Sequence, residues 1–96
     1  MYFVQVFDTS QPEPRFRTVR AVWESRVGWC FLYPENGKLP EGFETAADAT
    51  RIAQGLATSL PVRSAVLEMK SGVHVFDSLD WPHTVQPDPL GSVAEL

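Results

Sequence analysis

Three side chains in this 96-residue chain could ligate a soft or borderline metal: Cys30, His74 and His83. A structural zinc site draws four ligands at short, characteristic spacings. These three fall far apart on different segments, so the sequence predicts neither a metal nor a cofactor. Cys30 stands between Trp29 and Phe31 in an apolar alternating run, where a cysteine behaves as a small apolar residue rather than as a nucleophile. Asp77 and Asp80 near His74 have the composition of an acid–base pair, although carboxylates at the end of a strand also serve simply to solvate it. The sequence contains no Gly-rich phosphate loop, G-x-S-x-G elbow or H-E-x-x-H helix. On this basis the chain reads as non-enzymatic.

Two groups of residues could instead recognise a partner. Arg15, Arg17, Arg20 and Arg26 give residues 1–33 four basic groups against Asp8, Glu13 and Glu24. Such a ribbon could contact phosphates. Residues 34–96 are acidic, and the whole chain carries a net charge of −4, which argues against a general polyanion binder. The second group centres on Trp81, which lies in a Pro-rich segment with Pro82, Pro87 and Pro89. Tryptophan is enriched in binding hot spots, and proline lowers the entropic cost of docking an extended segment. Trp81 could equally cap the domain's own core.

The elements that position these residues follow from hydrophobic periodicity. Residues 2–7 read as a strand with apolar side chains on both faces, and residues 8–14 as a loop. Residues 16–24 read as a second strand, with Val19, Ala21 and Trp23 on one face. Arg15 and Arg17 fall on that same face, which predicts that the first half projects past the sheet. Residues 27–33 form a third strand, hairpinned to the second through Ser25-Arg26, and Asn36-Gly37 supplies turn chemistry.

A helix follows. Thr45-Ala46-Ala47-Asp48 resembles a capping box, and Ala49, Ile52, Ala53, Leu56 and Leu60 recur at helical spacing. Pro61 disfavours helical geometry at Leu60, which predicts a stop near Ser59. Gly55 in the helix interior costs up to about 1 kcal/mol relative to alanine. Residues 65–77 read as a second hairpin. A three-residue loop ending on a left-handed Gly72 gathers Ala65, Leu67, Met69, Val73 and Val75 on one apolar face. That register sends His74 outward opposite Glu68 and Phe76 outward opposite Val66, which adds both to Trp81 as candidate partner-binding residues.

Gly28-Trp29-x-Phe31-x-Tyr33, then Gly37-Lys38, then Phe43-x-Thr45 and Ala49 form a string that resembles two known patterns. One is the arm-type DNA-binding domain at the N-terminus of phage tyrosine recombinases. The other is a group of small uncharacterised bacterial proteins in which G-W, a turn, F-x-T and a helix precede a β-hairpin. The resemblance covers about residues 27–57. The first implies a three-stranded sheet that enters the major groove with basic side chains, whereas residues 27–33 here carry no Lys or Arg. The second implies the trailing hairpin and a fold without a known activity.

The expectation is an α+β domain over residues 1–78, with an antiparallel sheet of about five strands in the order β-β-β-α-β-β packed on one helix. A Pro-rich arm occupies residues 79–96. A single cysteine excludes an intrachain disulfide and fits a reducing compartment. The sequence shows no signal peptide and no apolar run of membrane-spanning length, so the chain reads as cytoplasmic. The expected function is a protein-interaction module, of the kind found among small acidic regulators or inhibitors of phages and mobile elements. Open sheet edges could also pair with a second copy. The alternative is a DNA-binding module using Arg15, Arg17, Arg20 and Arg26.

Overall fold

The structure is a computed structural model that describes residues 1–35 and 38–81. The predicted Asn36-Gly37 turn, His83 and the arm beyond Trp81 lie outside the described residues. Among the described residues, six strands and one helix follow in the order β1 (Tyr2–Asp8), β2 (Arg15–Thr18), β3 (Arg20–Glu24), β4 (Gly28–Leu32), α1 (Ala46–Ser59), β5 (Ser64–Glu68) and β6 (Val73–Asp77). They form an antiparallel four-stranded sheet of order β2-β1-β5-β6 and a two-stranded sheet of β3 and β4, with α1 packed on them. The expected α+β architecture is therefore present.

The strand count rises to six because the predicted second strand divides at Val19. Residues before it pair with β1, in a register that sets Phe16 opposite Phe7 and Thr18 opposite Gln5. Residues after it pair with β4, Ala21 opposite Phe31 and Trp23 opposite Trp29. Val19 itself is buried, and its N–H donates to the Val4 carbonyl at 3.0 Å. The first half thus does not project past the sheet. Arg17 is accommodated on β2 because its Nη1 donates to Asp8 Oδ2 at 3.0 Å and its guanidinium lies 3.9 Å from the centre of the Tyr33 ring.

Helix α1 begins and ends where its local chemistry dictates. The Thr45 hydroxyl accepts from the Asp48 N–H at 3.1 Å, which satisfies one of the orphan donors of the first turn. Leu60, turned to extended geometry before Pro61, still donates its N–H to the Leu56 carbonyl. Ala49, Ala53 and Leu56 are fully buried against Val4, Val6 and Val66 of the central strands, with Ile52 and Leu60 packed at the margin. Two alanines on the contact stripe let the helix axis approach the sheet closely. Ser64 is the polar exception on this face, and its hydroxyl donates to the Ala53 carbonyl at 2.6 Å.

The two-stranded sheet packs on the helix and core through Ala21, Phe31 and above all Trp29. Trp29 lies directly on Gly55: a Cβ built there would overlap the indole Cδ1 and approach Nε1 to 2.7 Å. The Trp29 N–H donates to Ser59 Oγ at 3.1 Å, one helical turn further on. Gly28 starts β4 with φ +89 after the three-residue loop 25–27, a conformation that favours glycine. The strand therefore opens at Gly28, and Val27 is an exposed loop residue.

The second hairpin departs from its predicted register at the loop end only. Val66 faces Phe76 and Ala65 faces Asp77, but a bulge at Val75 shifts the rest, so that Leu67 faces His74 and Glu68 faces Val73. Gly72 adopts φ +73 and donates to the Glu68 carbonyl across a four-residue loop. The buried face is also different from expectation. Val66 and Ser64 point to the helix, whereas Ala65 and Leu67 point away, and Met69, Val73 and Val75 are exposed. Phe76, opposite Val66, consequently packs on the core rather than outward.

Gly55 gives a test with an unusual sign. Helix propensity alone makes Gly55→Ala stabilising by up to about 1 kcal/mol. Overlap with Trp29 reverses this, for a net loss of about 1–2 kcal/mol, readable by urea denaturation. In a Trp29→Ala background the same substitution is expected to become neutral or stabilising.

Candidate functional site

The bulge at Val75 shapes a groove that carries aromatic side chains. A bulge adds one residue to a strand and re-aims the side chains around it, and here the consecutive residues Val75 and Phe76 both line one depression between β6 and α1. Its remaining walls are Gln54 of the helix, Asp77, Asp80 and Trp81, and it encloses about 310 Å³. The Trp81 ring lies 6.4 Å from that of Phe76 at an angle of 60°. The chain returns to this position through Asp77, whose Oδ1 accepts from the Leu79 N–H and whose carbonyl accepts from the Asp80 N–H. Ser78 is buried, its N–H donating to the Ser64 carbonyl and its Oγ accepting from the Ser64 N–H, both at 2.8 Å. Residues 79–81, assigned to the arm from sequence, are thus tied to the end of the second hairpin.

Asp77 is fixed by Arg63, a residue that sequence patterning did not single out. Arg63 Nε and Nη2 donate to the two carboxylate oxygens of Asp77 at 3.0 and 2.5 Å. This bidentate pair holds the Asp77 carboxyl below the usual carboxylate range and raises the already high pKa of Arg63. The guanidinium also lies 5.3 and 5.0 Å from the ring centres of Phe7 and Phe16. An arginine directly before β5 gave no periodic signal, because its partners are fourteen or more residues away in the chain.

His74 belongs to the opposite face of the sheet from Phe76 and Trp81. Gln5 Nε2 donates to Thr18 Oγ1 at 3.1 Å, which leaves Gln5 Oε1 to accept from His74 Nε2 at 2.6 Å. The imidazole stacks obliquely on Phe16, with centroids 4.7 Å apart, and Phe16 meets Phe7 edge-on. Side chains from the two outer strands therefore meet above Ala65, which is fully buried. His74 forms no hydrogen bond with Asp77 or Asp80, so the three do not assemble as an acid–base pair. Of the three residues proposed from sequence for partner binding, the structure brings Phe76 and Trp81 together and places His74 elsewhere.

The arginines do not converge either. Arg17 is committed to Asp8 and Tyr33. Arg15 is exposed at the start of β2, and Arg20 and Arg26 are separated by the full length of β3. Cys30 sits on the outer face of β4, its Sγ 3.9 Å from the Gly28 carbonyl. Among the described residues, no three His, Cys, Asp or Glu side chains cluster as metal ligands, and no helix is long and apolar enough to cross a membrane.

Asp8, read from sequence as the start of a loop, is instead a buried carboxylate at the end of β1. Its Oδ1 accepts from the Ser10 hydroxyl at 2.6 Å and the Ser10 N–H at 2.9 Å, and Oδ2 accepts from Arg17. These hydrogen bonds lower its pKa from 3.8 to about 2. Asp8 and Asp77 are both favoured as anions in the folded state. Their contribution to stability is therefore complete above the unfolded value of 3.8 and is lost as pH falls below it, for Asp8 through about 2. Denaturant midpoints measured across that interval are expected to drop, and Asp8→Asn to flatten the dependence. An Asp8 carboxyl that titrates near 3.8 by NMR would refute this assignment. The chain matches no protein-family model, no curated protein and no solved structure.

Proposed function

We propose that this chain is a non-enzymatic protein-interaction module whose partner docks in the groove between α1 and β6. The observation that carries the reading is the pairing of Phe76 with Trp81 on one side of an open depression whose acidic groups are Asp77 and Asp80. Aromatic rings at an accessible site offer large contact area at low cost in side-chain entropy, and such residues dominate binding hot spots. Asp77 is held by Arg63, but Asp80 is exposed and is not part of an ion pair with any described residue. The matching ligand is a polypeptide segment with an apolar or aromatic anchor flanked by Lys or Arg. A small acidic module of this kind suits a regulator or inhibitor that acts by occupying a basic surface on its target.

Selection from a random peptide library on the immobilised protein tests this directly. The expected binders share an apolar anchor beside a basic residue, and lose affinity by at least about tenfold with Trp81→Ala or with Asp80→Lys. Binders that ignore both substitutions would remove the groove as the docking site. Tight, steeply salt-dependent binding to duplex DNA would favour the arginine-based alternative instead.

A further inference from the structure

The outer face of the β3–β4 hairpin is a separate surface that uses neither Phe76 nor Trp81. Directly opposed residues in an antiparallel pair share a face, and neighbours along a strand alternate. Trp29, Phe31 and Ala21 are packed toward the helix and core. The outward row is therefore Arg20, Val22 and Glu24 on β3, opposite Leu32, Cys30 and the backbone of Gly28 on β4, the Cβ position of Gly28 being turned toward Ser59. Leu32 is 55% exposed, and Val22 and Cys30 are half-buried. Arg20 and Glu24 are exposed at the two ends of the row, and neither forms an ion pair with a described residue.

From this pattern we infer that the hairpin's outer face is a weak homodimer interface, with a second copy of this chain as its occupant. A two-fold axis in the plane between two such faces, perpendicular to the strands, lays each strand antiparallel over its own copy. Arg20 of one protomer then lies over Glu24 of its partner, twice by symmetry. Val22 meets Val22 and Cys30 meets Cys30 at the centre. Leu32 lies over the Gly28 backbone. The other two-fold, with its axis along the strands, would lay β3 over β4 of the partner, so that Arg20 faces Leu32 and Glu24 faces Gly28, and neither charge would meet an opposite one. Face-to-face sheets sit about 10 Å apart, so the arrangement is an isologous, closed contact that cannot propagate into a filament.

The row spans five residues on each strand, which covers less than the roughly 800 Å² per partner of a standard interface. The dimer is accordingly expected to form only at high micromolar concentration and above. Sedimentation of the wild-type protein up to millimolar concentration should show the average mass rising from monomer toward dimer. Cys30, the only cysteine in the chain, should cross-link to its copy with a short bis-maleimide under those conditions and not on dilution. Arg20→Glu and Glu24→Arg should each weaken association by at least about tenfold, and the combined exchange should restore it. A protein that stays monomeric at millimolar concentration would overturn the inference. So would a dimer that survives both single reversals and Leu32→Asp, since its contact would lie elsewhere. The wild-type measurements need no substitution, and failure of this inference leaves the α1–β6 groove untouched.

Discussion

The contact between Trp29 and Gly55 is the constraint on which the arrangement of the two sheets depends. Helix α1 is shared between them: Ala49, Ala53 and Leu56 rest on the four-stranded sheet, and Gly55 receives the indole from the two-stranded one. Only a helix residue without a Cβ lets the ring lie on the backbone, so the site accepts its propensity penalty in exchange for close approach. The hydrogen bond from the Trp29 N–H to Ser59 Oγ then sets the rotation of β4 about that point. With β4 held there, β3 is placed by its ladder to β4, and Val19 becomes the position where the chain must leave one sheet and enter the other.

That placement explains the polar chemistry at the end of β1. Once β2 is confined to four residues beside β1, Arg17 faces the same side as Asp8 and Tyr33, and the buried carboxylate acquires both its cation and the two Ser10 donors. A carboxylate with as little solvent contact as Asp8 would be destabilising if unpaired, whereas one that accepts three hydrogen bonds is favoured in its charged form. At the same end of the sheet, on its other face, Arg63 plays a comparable part. It clamps Asp77 and stacks over Phe7 and Phe16, so the face of the sheet opposite the helix is also partly sealed.

Sealing on both faces is the reason the sequence was legible only in part. Helix α1 was readable to its last residue, because Thr45, the apolar spacing and Pro61 are local signals. The first strand and the left-handed Gly72 were readable for the same reason. Alternation could show that Ala65 and Leu67 share a face, but not which face the helix covers, since Val66 is equally apolar. The choice falls to Val66 because Val4 and Val6 lie beside it under the two alanines of α1. The split at Val19 and the bulge at Val75 left no local trace either. Both are consequences of which strands meet, and Arg15, Arg17 and Val19 alternate as one uninterrupted strand would. Of the candidate site, Phe76 and Trp81 were legible as residue types, while their meeting and the separation of His74 depended on register.

The bulge links the fold to the surface it presents. An edge strand with exposed Val73 and Val75 is a template for uncontrolled pairing, and a bulge in the middle of β6 interrupts the regular row of backbone groups that such pairing requires. The same extra residue brings Val75 and Phe76 together on the groove beside Gln54. One irregularity therefore disfavours indiscriminate strand addition and shapes a side-chain-lined depression in its place. The proposed recognition at β6 would accordingly rest on Phe76, Trp81 and Asp80 rather than on the backbone edge of the strand. Selectivity at such a groove rests on which side chain a partner inserts, a requirement that an unbroken edge would not impose.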